Sequence, residues 1–275
     1  MKILLIIISA LTITLNATAQ VNNSYYVNNS GQKIHYKIVG EGPPLVLVFG
    51  FGMSLEAWFQ FGYAQELANK FKVIAIDPRG HGKSDAPTKP SEYTLKKLST
   101  DIISVLNQVN VKETYIFGYS LGAAIAMGVA KNNPQIVKGL IIGGLEIKPE
   151  FNPSNDIVIS TLESGSVAWK KLWESLINVP APMEKRLENI NTEALLALRK
   201  EQIKWHTLKP TLKNLSIPTL LIAAKEGFAY EDMLKAHELL KNSQLITVPS
   251  MNHFTLIPNM KSIIVKIFNF IEKTT

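Results

Sequence analysis

No cysteine occurs among the 275 residues, which excludes disulfides, thiolate metal sites, a thiol nucleophile and a lipid-modified cysteine near the N-terminus. Runs of five or more basic residues are lacking too. Lys37, Lys70, Lys72, Lys96, Lys97, Lys170 and Lys171 are dispersed, so the formal charge of +7 describes a solvated surface and implies no nucleic-acid partner. Apolar runs long enough to cross a bilayer are also missing. The longest candidate is the opening MKILLIIISALTITLNATAQ, whose core from Ile3 to Ile8 continues weakly to Leu15 and is broken by Asn16. That falls short of the roughly 20 apolar residues a membrane helix needs. Lys2 ahead of this core and Ala17-Thr18-Ala19 behind it are the parts of a cleavable signal. The sequence therefore predicts a leader over 1–19, cut after Ala19, a periplasmic or secreted mature chain, and no stable membrane insertion afterwards.

What remains is 46% hydrophobic and 19% charged, the make-up of a folded chain with a sizeable core. Lys33 to Val39 (KIHYKIV) alternates polar and apolar residues, as a strand with one wet face does. Leu45–Phe49, Val73–Ile76, Tyr115–Phe117, Leu140–Ile142 and Leu220–Ala223 are short unbroken apolar runs, which suit strands buried on both faces. Between them Leu95, Leu98, Ile102, Val105 and Leu106 recur at helical spacing, and so do Met260, Ile263, Ile264, Ile267, Phe268 and Ile271. The alternation predicts an α/β fold with a mainly parallel sheet flanked by helices. From Glu146 to Leu215 the pattern is helical with no obvious strand, and this interval holds Trp169, Trp173 and Trp205, three of the four tryptophans. It reads as an inserted helical lid over 146–215, dividing a core into 20–145 and 216–275, with Tyr119, Trp169 and Trp173 as candidate pocket residues.

The chemistry centres on Gly118-Tyr119-Ser120-Leu121-Gly122, at the end of an apolar run and before the helix formers Ala123 to Met127. A sharp strand-to-helix turn holds its central residue under strain and needs tiny side chains two positions either way. Such a turn pushes the serine hydroxyl clear of the sheet, while the new helix offers free N–H groups and a positive dipole to an oxyanion. Ser120 is the candidate nucleophile and the backbone N–H of Leu121 a candidate oxyanion donor.

With these residues the chain resembles the α/β-hydrolase fold superfamily, in its lid-bearing group of esterases, carbon–carbon hydrolases and epoxide-hydrolase relatives. The segment Asp77-Pro78-Arg79-Gly80-His81-Gly82-Lys83-Ser84 is similar to that family's D-x-R-G-x-G-x-S turn, and Met251-Asn252-His253-Phe254 resembles its catalytic-histidine loop. The resemblance implies an eight-stranded sheet, no cofactor and no metal, His253 as general base, and the backbone N–H of Phe51 as the second oxyanion donor. His35, in the wet-faced strand, His81, in the turn, and His206 and His237, in helical stretches, read as surface or packing residues. Two departures stand out. Phe49-Gly50 replaces the family's usual His-Gly pair, and the expected position of the triad acid falls on Gly227. Glu226 beside it is the first candidate acid; the alternative position at the end of the preceding strand is Gly144, with Glu146 two residues on, and a site with no acid stays open. Asp77 belongs to its turn, and Glu231 and Asp232 to the start of a helix. A serine at the elbow argues against the chemistry of relatives that carry aspartate there. The expectation is a secreted serine hydrolase acting on a small, largely apolar ester-like substrate, or alternatively a catalytically impaired ligand-binding protein of the same fold; nothing in the sequence fixes the oligomeric state.

Overall fold

In a computed structural model, residues 24–147, 152, 154–259 and 263–274 are described; the expected leader lies outside them. Eight strands among these residues form one sheet: β1 (Ser24–Asn29), β2 (Gln32–Val39), β3 (Pro44–Val48), β4 (Lys72–Asp77), β5 (Thr114–Tyr119), β6 (Val137–Gly143), β7 (Thr219–Ala224) and β8 (Ser243–Val248). Their spatial order is β1-β2-β4-β3-β5-β6-β7-β8. β1 pairs antiparallel with β2, and β2 antiparallel with β4; the remaining pairings are parallel. Every expected strand is present; β8 completes the eight that the resemblance implies, and β1 is one the apolar pattern did not announce, because SYYVNN has polar ends, lies on the sheet's edge and buries none of its residues.

Parallel neighbours need crossovers, and helices supply them on both faces. Before β5 come α1 (Glu56–Gln60), α2 (Tyr63–Ala68) and α3 (Leu95–Gln108); α4 (Leu121–Asn132) follows β5. Thr94 caps α3 by accepting the Lys97 N–H, and Leu98, Ile102, Val105 and Leu106 bury the face that the periodicity predicts. Between β6 and β7 the described residues form helices only: α5 (Ile157–Glu163), α6 (Ser166–Leu176), α7 (Ala181–Glu188), α8 (Thr192–Gln202) and α9 (Lys209–Asn214). Then α10 (Tyr230–Leu239) separates β7 from β8, and α11 (Ile264–Thr274) returns to the sheet with Ile264, Ile267, Phe270 and Ile271 buried. No helix among the described residues is long and apolar enough to cross a membrane.

The pairing of β5 with β6 has a steric key. Tyr115 lies opposite Gly139 and Tyr119 opposite Gly143, and a Cβ on either glycine would come within 2.7 Å and 2.5 Å of the facing tyrosine ring. The two glycines are bays for the two rings.

The turn after β4 is held by Asp77, as its sequence motif suggests. Its buried carboxylate accepts from His35 Nδ1 at 2.7 Å, from the Leu55 N–H at 2.7 Å and from the Lys83 N–H at 3.1 Å. His35 is accordingly not on a wet face: it is fully buried, with Ser24 Oγ of β1 2.6 Å from Nε2. The edge strand that the sequence did not reveal is what covers it. Next to this turn, Arg79 reaches Asp101 of α3 with Nε at 2.9 Å and Nη2 at 2.7 Å, both side chains being almost wholly buried. Removing one partner of such a pair strands a charge in the interior, so Arg79→Ala is expected to destabilise the protein by about 3–5 kcal/mol, measured by denaturant titration; a loss under about 1 kcal/mol, the range of a surface pair, would show that Asp101 finds other solvation.

Candidate active site

Ser120 sits between β5 and α4 at φ 56°, ψ −118°, a left-handed conformation that side chains other than glycine rarely adopt. The strain is held by the Ser120 N–H donating to the Gly143 carbonyl at 2.8 Å and by the Ser120 carbonyl accepting from Ala123 at 2.9 Å. The flanking glycines are spatial necessities. A Cβ on Gly118 would lie 2.3 Å from the Gly122 carbonyl oxygen, and one on Gly122 would lie 2.1 Å from that of Val48. Only without both side chains can α4 start directly over the ends of β3 and β5.

The loop after β3 lies against this elbow. A Cβ on Gly50 would meet Ser120 Cβ at 3.1 Å and Oγ at 3.6 Å. Among the described residues no acceptor takes the backbone N–H of Phe51 or of Leu121, so both donors sequence reasoning selected remain available beside the hydroxyl. Phe49 does not leave the loop unsupported: its ring is buried and packs edge-on to Trp58 at 4.7 Å and against Tyr119 at 6.1 Å. Aromatic packing takes over where the family pattern has a hydrogen-bonding side chain. Trp169 of α6 braces the other flank, 5.8 Å from the Phe51 ring.

His253 lies in the loop after β8, buried, and lines the same cavity as Ser120. Its ring is surrounded by Phe228 at 4.3 Å, Tyr119 at 5.2 Å and Phe254 at 5.4 Å, and its backbone carbonyl accepts from the Tyr119 hydroxyl at 2.6 Å. That bond ties the residue before the nucleophile to the histidine loop. Burial pushes the imidazole pKa down from 6.5 to about 4, because the apolar surroundings penalise the charged form. Burial raises the Tyr119 hydroxyl for the same reason, so it stays a donor.

The acid expected at Glu226 is not against the ring. Glu226 is exposed, its backbone N–H donates to the Met251 carbonyl at 2.9 Å, and among the described residues no carboxylate hydrogen-bonds His253. Both positions where an acid was sought are glycines in contact with the histidine. A Cβ on Gly144 would stand 2.8 Å from Nδ1, and one on Gly227 3.1 Å from the His253 backbone nitrogen. Neither position supplies an acid, and Glu226, beside the second, is exposed. Glu146, the alternative, does enter the cavity but makes no hydrogen bond to the ring. Asp232 lies in the first turn of α10 as expected, where its carboxylate accepts the Ile147 N–H at 2.9 Å. Of the remaining histidines His81 is buried, with Nδ1 3.1 Å from the Arg79 carbonyl, and His206 and His237 are exposed; His206 lies between α8 and α9 rather than within a helix.

The cavity above Ser120 measures about 420 Å³. Apolar side chains from α5 and α6, among them Ile157, Val158, Leu172 and Trp173, form much of its wall, and Trp173 meets Phe254 edge-on at 5.8 Å. Arg199, Gln202 and Trp205 also line it. The sequence reading did not single out Arg199 or Gln202, because on α8 both are spaced like ordinary surface polar residues; the one available signal was their place in the strandless interval.

Residues 43–162 match the family model described as alpha/beta hydrolase fold. Epoxide hydrolase 3 of Siraitia grosvenorii is 28% identical over 171 residues, covering 62% of this chain and 52% of that relative, so the chain matches about half of its length. A hydrolase from Pseudomonas aeruginosa superposes with a TM-score of 0.79 at 21% identity, covering 91% of this chain and 99% of that one. A thermophilic esterase from Thermogutta terrifontis superposes at 0.78 and 19% identity, covering 91% and 98%. The strained serine turn, the order of the strands and these likenesses agree: the chain has the α/β-hydrolase fold, and its residues 43–162 match the model of that family.

Proposed function

We propose that this protein is a serine hydrolase that cleaves an ester, or another activated acyl bond, of a small and largely apolar substrate through an acyl-enzyme on Ser120. The observation that carries the reading is the placement of Ser120, at φ 56°, beside two unclaimed backbone N–H groups and in one cavity with His253. Ser120 Oγ attacks the acyl carbon, and its proton passes to the neutral imidazole of His253. The oxyanion is held by the N–H groups of Phe51 and Leu121, at the positive end of α4. The imidazolium then protonates the leaving alcohol, and a water repeats the sequence to release the acid. Helices α5 to α9, within 146–215, serve as the lid, with Trp169 and Trp173 on its underside.

Likeness to an epoxide hydrolase does not extend the proposal to epoxides. Opening an epoxide with a carboxylate forms an ester that water can cleave; opening it with Ser120 would form an ether that this machinery cannot hydrolyse. The esterase likeness fits the serine directly. The glycines at positions 144 and 227 favour a second reading, a ligand-binding protein that has lost turnover. Against it, the loss of a triad aspartate costs about 10⁴-fold, yet oxyanion stabilisation and binding still leave about 10³–10⁴ over water.

A fluorophosphonate probe on the folded protein is expected to label Ser120 and not a Ser120→Ala variant; absence of labelling would favour the binding protein. For turnover of a short-chain aryl ester, the base must be neutral, so the acid limb of kcat/KM is expected near pH 4, where His253 titrates, rather than near its ordinary 6.5. A limb at 6.5 or above would mean that an acid reaches the ring in the working enzyme. The sign for folding follows from the same depression. The unfolded chain takes up a proton that the folded ring refuses, so His253's contribution to stability is present above about pH 6.5 and is lost as pH falls towards 4. Tyr119→Phe leaves the His253 carbonyl without its donor and is expected to cost about 1–3 kcal/mol in denaturant titration, with turnover falling as well; unchanged stability and rate would show the bond to be dispensable.

A further inference from the structure

One side of the cavity is polar, and the acyl-transfer machinery uses none of it. Glu146 follows β6, where Tyr119 pairs with Gly143, so Ser120 is level with Gly144 and Glu146 is two residues on, about 7 Å further if extended. The backbone on either side is pinned: the Leu145 N–H contacts Met233 Sδ at 3.2 Å, the Ile147 N–H donates to Asp232, and the Ile147 carbonyl accepts from Leu208 at 2.8 Å. Yet the Glu146 carboxyl, lining the cavity, has no hydrogen bond or ion pair among the described residues. Burial raises its pKa, Arg199 partly offsetting this and Asp232 adding to it. A half-buried carboxyl that faces an apolar cavity and meets no protein hydrogen-bond partner is open to a ligand group there.

Gln202 faces the same cavity. Arg199 is anchored by Asp156, whose Oδ2 accepts from Nε at 3.0 Å and Nη2 at 2.8 Å, and its Nη1 lies 3.5 Å from Gln202 Oε1. A guanidinium can only donate, so it takes the oxygen end of the amide and leaves the Gln202 NH₂ as the group free to serve a ligand. A cationic ligand would meet Arg199, and an anionic one would meet Glu146 with Asp232 near it. A neutral group suits both.

We infer that Glu146 and Gln202 form a recognition site for a neutral group that both donates and accepts a hydrogen bond, an amide or a hydroxyl, carried by the molecule whose acyl bond lies at Ser120. Glu146 takes its hydrogen and the Gln202 amide gives to its oxygen. The site rests on the hydrolase reading only in calling that molecule a substrate.

Octanamide and 2-nonanone test it, being matched in size and differing in an NH₂ against a CH₃. By calorimetry the protein is expected to bind octanamide at least about tenfold more tightly, since a site built to hydrogen-bond rejects an analogue lacking the donor. Glu146→Leu should bring the two within about twofold by weakening octanamide alone, Glu146→Gln, which keeps an acceptor, should retain part of the preference, and Gln202→Leu should weaken both ketone and amide. Equal binding of the two ligands by the unsubstituted protein, or a preference that survives Glu146→Leu, would overturn the site. Neither outcome bears on fluorophosphonate labelling of Ser120, so failure here and failure of the hydrolase reading are told apart.

Discussion

The approach of α4 to the ends of β3 and β5 is the constraint on which the site depends. It requires a residue forced to positive φ at the junction and no side chain at Gly118 or Gly122, where a Cβ would sit within 2.3 Å of a carbonyl oxygen. Granted that contact, the rest follows with few further choices. The hydroxyl stands clear of the sheet, the first N–H of α4 has no intrahelical partner, and the β3 loop is pressed alongside it. The energy stored in one unfavourable backbone conformation is repaid by a fully buried core on both faces of β3 to β7.

His253, the proposed base, is held in an unusual manner. Its position comes from three aromatic rings and a hydrogen bond to its own carbonyl, whereas beside Nδ1, where a carboxylate would orient and charge-balance the ring, stands Gly144. Aromatic faces fix where an imidazole lies but do little to stabilise a proton on it. Position and basicity, which one carboxylate would supply together, are separated here. The protein retains the first and gives up much of the second.

The fold was largely legible because buried parallel strands leave unbroken apolar runs and helices leave a 3.6-residue period; β2 to β7 and α3 could be read in that way. Edge strand β1 could not, since SYYVNN buries too little to show a pattern, and with it went the burial of His35, which depends on Ser24 from a different strand. In the proposed site, Ser120, Phe51 and Leu121 could be placed because they lie on backbone turns with local glycine signatures, whereas His253 was reached only through the resemblance of its loop. Glu226 misled for a physical reason: adjacency in a loop says nothing of direction, and its side chain faces solvent. Arg199 and Gln202 were invisible, since a residue's place on a cavity wall is set by how helices lie across the sheet, which no local pattern encodes.

The two bays on β6 act beyond packing. Side chains alternate along a strand, so a slip of one residue between β5 and β6 would set Tyr115 against Lys138 or Leu140 and Tyr119 against Ile142 or Gly144, instead of Gly139 and Gly143, and would exchange the faces on which their side chains lie. The fit of the two rings is therefore a steric check on strand alignment. Because Ser120 directly follows the second ring and Gly144 directly follows the second bay, the alignment that passes this check is also the one that brings the serine level with the histidine's glycine contact. Functional geometry here is an outcome of folding fidelity: a chain that mispairs these two strands forfeits its core and its chemistry in the same event.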